Sequence, residues 1–89
     1  VWDGLRYLYE EVGRLGLETL PTQANFFLIR VPVDAKRLYE ALLGRGVIIR
    51  AMNAYGLDRY IRVNAGIPEE NRRFVEALAE TLKDLQPAT

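Results

Sequence analysis

Two arginines stand twelve residues apart on neighbouring β-branched runs. Val47-Ile48-Ile49 leads into Arg50, and Tyr60-Ile61-Arg62-Val63 carries Arg62 inside it, with a polar, Gly-containing stretch between the runs of the kind that joins paired strands. Strand alternation puts Ile61 and Val63 on one face and Tyr60 with Arg62 on the other. A guanidinium is a rigid fork of donors that matches carboxylate and phosphate, so two of them converging at a strand end make an anion site. The same pattern fits an exposed sheet face on which each arginine pairs with Asp or Glu. Spacing alone leaves both readings open.

Little else in the chain can react. It holds no Cys and no His, and the sequence contains no Ser. Disulfides, thiolate nucleophiles, serine triads and imidazole bases are therefore excluded, and no metal site is expected. Ten of the twelve basic residues are arginine, and the two lysines, Lys36 and Lys83, lie in segments of helical period where nothing suggests the desolvated pocket of a carbonyl-trapping lysine. No catalytic residue is expected in the chain itself.

The 89 residues suffice for one domain with one modest core. Twelve basic and twelve acidic residues cancel to a formal net charge of +0, which argues against a nucleic-acid partner held by phosphate contacts and gives no polybasic membrane footprint. No apolar run approaches the ~20 residues of a membrane helix. A soluble, cytoplasmic protein is expected. The chain begins with Val1, which suggests a piece of a longer protein or a processed product.

The elements that must position the arginines follow from periodicity. Residues 3 to 15 read as a helix with Leu5, Leu8, Val12 and Leu15 inward, Asp3 as cap and Gly16 as stop. Trp2, Tyr7 and Tyr9 fall outside that stripe, so the helix looks apolar on a second side that another surface, or a second copy, would cover. Leu17 to Leu20 suit a short edge strand stopped by Pro21. Gln23 to Val31 reads as the central strand, covered on both faces because Phe26 to Ile29 is continuously apolar. Asp34 caps a helix whose stripe is Ala35, Leu38 and Leu42, and Gly44-Arg45-Gly46 ends it. After the arginine strands, Pro68-Glu69-Glu70 opens a last helix with Phe74, Val75, Leu78, Leu82 and Leu85 inward, Arg72, Arg73, Glu76, Glu80 and Lys83 outward, and Pro87 as stop. No repeat, linker or low-complexity segment interrupts this order. The fold class expected is α+β, a small two-layer α/β sandwich with helices on one face of a mostly antiparallel sheet.

The fragments Leu20-Pro21-Thr22-Gln23-Ala24-Asn25-Phe26-Phe27-Leu28, Arg45-Gly46-Val47-Ile48-Ile49-Arg50, Tyr60-Ile61-Arg62-Val63 and Gly66 followed by Pro68-Glu69-Glu70-Asn71 together resemble the C-terminal small domain of the histidinol-phosphate aminotransferases, pyridoxal-phosphate enzymes of fold type I. The resemblance covers almost the whole chain. It implies that Arg62 holds the substrate α-carboxylate and Arg50 its phosphate end. It also implies amino transfer between histidinol phosphate and 2-oxoglutarate in histidine biosynthesis, within a homodimer. Asn64-Ala65-Gly66-Ile67 departs from the family, whose members carry small and hydroxyl residues after the carboxylate arginine, and Ile67 bears on substrate preference. The family's cofactor lysine and other pyridoxal-phosphate ligands belong to a large domain that would precede Val1. Residues 1–89 are then a single small domain, inactive in isolation, with pyridoxal phosphate bound elsewhere.

Asn25 is a third candidate substrate contact, as an orienter of an arginine, or else a turn cap. Tyr55 either reaches a ligand or covers the sheet. Arg30 and Arg59 read as surface charges, and Phe26, Phe27 and Phe74 as core. Two other classes compete: a stand-alone α/β module that binds an anionic metabolite through the arginine pair, and an RNA-binding sheet with Phe26, Phe27 and Tyr60 as stacking platforms, which lacks the glycine-aromatic signature of that class. Pyridoxal phosphate mixed with the chain should give no site-specific imine absorbance. A band that disappears with Lys36→Ala or Lys83→Ala contradicts this.

Overall fold

The computed structural model describes residues 2–22 and 24–85. The side chain of Trp2, Gln23 as a strand start and Pro87 as a helix stop lie outside the described residues. Three helices and four strands follow in the order α1 (Trp2–Arg14), β1 (Thr19–Pro21), β2 (Phe26–Arg30), α2 (Ala35–Leu43), β3 (Arg50–Ala51), β4 (Tyr60–Asn64) and α3 (Pro68–Leu85), with a 3-10 turn at Asn53–Tyr55. The sheet order is β1-β2-β4-β3, and every neighbouring pair is antiparallel. β2 and β3 thus run parallel, joined through α2, with β4 inserted between them. This is the expected α+β sandwich. No helix among the described residues is long and apolar enough to cross a membrane.

One core receives all three helical stripes. Leu5, Leu8 and Val12 of α1, Ala35, Leu38 and Leu42 of α2, and Phe74, Val75, Leu78 and Leu82 of α3 are buried together with Phe27, Ile29, Ile61 and Val63 from one face of the sheet. Asp34 caps α2 as expected, its carboxylate accepting from the Arg37 N–H at 3.2 Å. Both α1 and α2 end on a glycine at φ +80°, Gly16 and Gly46, where the next N–H reaches back to the carbonyl five residues earlier: Leu17 to Val12 at 3.4 Å and Val47 to Leu42 at 2.9 Å. Only glycine takes that conformation without steric cost.

Several expectations need correction. Leu15 is exposed because it lies in the turn beyond α1. On the second apolar side of α1, Tyr7 and Tyr9 are half-buried, and the Tyr9 ring packs 4.6 Å from that of Phe27, so part of that side already serves the domain's own core. β1 begins at Thr19, not Leu17, and ends on Pro21, which is its last residue and which an edge position tolerates. β2 is an inner strand but is covered on one face only, because all helices lie on the side of Phe27 and Ile29; Phe26 and Leu28 are half-buried on the open side. Phe26 is therefore not core. The run Val47-Ile48-Ile49 is not a strand, although it keeps strand-like alternation, with Val47 and Ile49 buried and Ile48 78% exposed.

Packing also explains where glycine is required in α1. A Cβ on Gly4 would meet the Asn71 amide nitrogen at 2.9 Å, whereas one on Gly13 would meet nothing within 4 Å. Gly13→Ala should therefore raise unfolding free energy by about 0.5–1 kcal/mol through helix propensity, while Gly4→Ala should lower it despite the same propensity gain. Urea denaturation of both variants reads the opposite signs, and a stabilised Gly4→Ala contradicts the packing.

Candidate functional site: an arginine cleft at a splayed strand pair

β3 and β4 pair over only two residues, Arg50 with Arg62 and Ala51 with Ile61. Arg50 and Arg62 are thus directly opposite, with Cα atoms about 5 Å apart. The same register row continues through Leu28 to Leu20, all on the open face of the sheet. Beyond Arg50 the strands part. Residues 46–49 diverge from the end of β4, and the first turns of α3 fill the gap from the helix side, leaving a cleft of about 500 Å³. Its polar walls include Arg50, Arg62, Asn64 and Arg73, and Leu8, Val63 and Phe74 are among the apolar residues beneath.

Arg62 is held for this position. Its guanidinium carbon lies 4.3 Å from the centre of the Phe26 ring, a cation–π contact that orients the plane of the fork. Its Nε is buried and has no hydrogen-bond partner. Among the described residues the ion pairs formed by arginine involve Arg6, Arg14 and Arg45, and none involves Arg50 or Arg62. The paired-surface-charge reading therefore fails for these two. The one carboxylate lining the cleft, Glu70, is engaged elsewhere, accepting from the Ile67 N–H at 3.2 Å as half of a helix-start clasp. Opposed like charges on adjacent strands destabilise a sheet. An arrangement that keeps them uncompensated, with a buried donor idle, suits a bound anion.

The other candidates lie outside the cleft. Asn25 is exposed, and its backbone carbonyl accepts from the Ala65 N–H at 3.0 Å, extending the β2–β4 ladder by one bond. The turn before β2 is tied by Thr22, whose hydroxyl donates to the Phe26 carbonyl and accepts from the Ala24 N–H. Tyr55 is 69% exposed and covers nothing. Arg30 is exposed, and the equally exposed Arg59 donates to the Pro32 carbonyl at 2.8 Å. Lys36 borders a separate hollow beside Tyr39 and Ile48, and Lys83 is exposed on α3. With no lysine in the arginine cleft, the described residues do not fit a covalently held pyridoxal phosphate. Among the described residues no cluster of acidic side chains could hold a metal.

Two residues at the cleft were not singled out from sequence. Asn71 is 3% exposed and makes both of its amide bonds to one residue, accepting from the Gly66 N–H at 2.8 Å and donating to the Gly66 carbonyl at 3.1 Å. The signal was present: Asn71 precedes Phe74, Val75 and Leu78 by three, four and seven residues, so it lies on the inward stripe of α3. Arg73 donates to the Arg45 carbonyl at 3.2 Å, a contact that no pattern announces.

The fold agrees with comparisons to known proteins. The model of the family "Aminotransferase class I and II" matches residues 2–78, and the chain belongs to that family. Among curated relatives it is 49% identical over 80 residues to a histidinol-phosphate aminotransferase of Nitratidesulfovibrio vulgaris, covering 90% of this chain and 21% of that protein. It is likewise 49% identical over 83 residues to the one from Desulfotalea psychrophila, covering 93% and 22%. The chain thus spans about a fifth of the length of these relatives. Among solved structures, the histidinol-phosphate aminotransferase from Clostridium acetobutylicum superposes with a TM-score of 0.81 at 27% identity, covering 93% of this chain and 26% of that one. The L-threonine-O-3-phosphate decarboxylase from Porphyromonas gingivalis superposes at 0.73 with 30% identity, covering 91% and 27%.

Proposed function

We propose that the chain is the C-terminal small domain of a pyridoxal-phosphate-dependent aminotransferase of the cytoplasm, a homodimer that exchanges an amino group between histidinol phosphate and 2-oxoglutarate in histidine biosynthesis. In this reading its own task is to hold the substrate. The cofactor, which supplies the chemistry of amino transfer when bound, would be held by a large domain outside these residues. One observation carries the reading: Arg50 and Arg62 face each other across β3 and β4, without a carboxylate partner among the described residues, at a cleft of about 500 Å³.

The two arginines have different surroundings, which supports different roles. Arg62 sits inside an inner strand, is half-buried and is stacked on Phe26, so its fork is pre-oriented and suits a two-pronged contact with the α-carboxylate of 2-oxoglutarate, since histidinol phosphate has no carboxylate. Arg50 begins the edge strand and is exposed, which suits the distal phosphate. The named substrates of two similar proteins, histidinol phosphate and threonine O-3-phosphate, both carry a phosphate group. Asn25 stays in this reading as an outer contact at the open end of β2.

The test is kinetic, in a chimaera that joins this chain to the preceding four-fifths of the Nitratidesulfovibrio vulgaris relative. Two charge-assisted hydrogen bonds of roughly 1.5–3 kcal/mol each imply that Arg62→Ala lowers kcat/KM for 2-oxoglutarate by about two to four orders of magnitude, with little recovery in Arg62→Lys. Arg50→Ala should penalise histidinol phosphate much more than unphosphorylated histidinol. Equal losses on both donors with Arg50→Ala, or near-normal activity with Arg62→Ala, contradict the assignment.

A further inference from the structure

We propose that Arg73 and Asn71, two residues apart near the start of α3, are positioning residues that hold the two banks of the cleft and so set its width beyond the Arg50–Arg62 pair; the inference rests on the reading of the cleft as an anion site. The strand ladder cannot do this alone. It joins β3 to β4 at two residue pairs and then ends, so the run 46–49 has no strand partner on β4 to keep it in place.

α3 supplies what the ladder lacks. On the Arg50 side, the Arg73 guanidinium donates to the Arg45 carbonyl and sits so close to Gly46 that a Cβ there would lie 2.8 Å from its Nη2. The same turn is stapled to α3 a second time, since Arg45 pairs with Glu80 at 3.1 Å and with Asp84. On the Arg62 side, Asn71 closes both of its amide bonds on Gly66. Gly46 precedes Arg50 by four residues and Gly66 follows Arg62 by four, so each brace lies one short extended run from its arginine. Both braces project from one rigid helix, where a two-residue step fixes their spacing along the axis at about 3 Å. A helix that holds both banks fixes the width of the cleft that both guanidinium groups border, and a fork-and-anion contact is sensitive to that width.

Arg73 also lines the cleft, so the alternative is that it acts as a third anion ligand. NMR titration of the 89-residue chain with inorganic phosphate separates the two. Arg73 is exposed, and Arg73→Ala should leave the fold intact; it should weaken phosphate binding about tenfold and, before any phosphate is added, broaden or shift the amide signals of residues 46–50 while leaving urea stability nearly unchanged. Arg73→Lys keeps a donor able to reach the Arg45 carbonyl and should restore most of the affinity. Asn71→Ala should shift the signals of residues 62–66 instead. Weakened binding with the 46–50 signals of the free variant unmoved makes Arg73 a direct ligand and overturns the proposal, as does unchanged affinity in Arg73→Ala. If the parent chain fails to bind phosphate, or if Arg50→Ala and Arg62→Ala bind it as the parent does, the anion-site reading fails, whatever the amide signals of the Arg73 variant show.

Discussion

Repulsion between two guanidinium groups organises this end of the molecule. Arg50 and Arg62 occupy directly opposed positions on adjacent antiparallel strands, a pairing that lowers stability when nothing neutralises it. The fold tolerates it by three means. Phe26 offers its ring face to Arg62, β3 ends after two residues so that the charges border a cleft, and α3 fixes the backbone on both sides through Gly46 and Gly66.

The scaffold behind the cleft is conventional in its physics. Three helices cover one face of the sheet with stripes of Leu, Val and Phe, and the other face stays open, carrying the row Leu20, Leu28, Arg62 and Arg50. Exposed apolar residues at Leu20 and half-buried ones at Phe26 and Leu28 make that face amphipathic.

Much of this was legible in the sequence because the determinants are local. The stripe Ala35, Leu38, Leu42, the Asp34 cap, the stop at Gly46 and the split of Ile61 and Val63 from Arg62 all follow from period and propensity, and the structure agrees with them. The failures are tertiary. Continuous apolar character from Phe26 to Ile29 suggested two covered faces, but half of it serves a cation and the open side of the sheet. Val47 to Ile49 has strong β propensity, yet the cleft beside it leaves it without a strand partner. Asn71 was readable as a polar residue on an apolar stripe; Arg73 was not, since its role depends on which carbonyl the fold brings near it. The pairing of Arg50 with Arg62 was anticipated from their runs, whereas the lack of any acidic partner could be known only from coordinates.

The central claim is that this pair is destabilising when empty and satisfied by an anion, and thermal unfolding tests it directly. Tm would be measured for the parent chain and for Arg50→Gln, in phosphate and in chloride matched for ionic strength so that screening is equal. The account predicts that Arg50→Gln melts a few degrees higher in chloride, as relief of an opposed-charge pair by up to about 1 kcal/mol implies, and that only the parent gains stability as phosphate is added. A variant that melts lower in chloride and responds to phosphate as the parent does would contradict it.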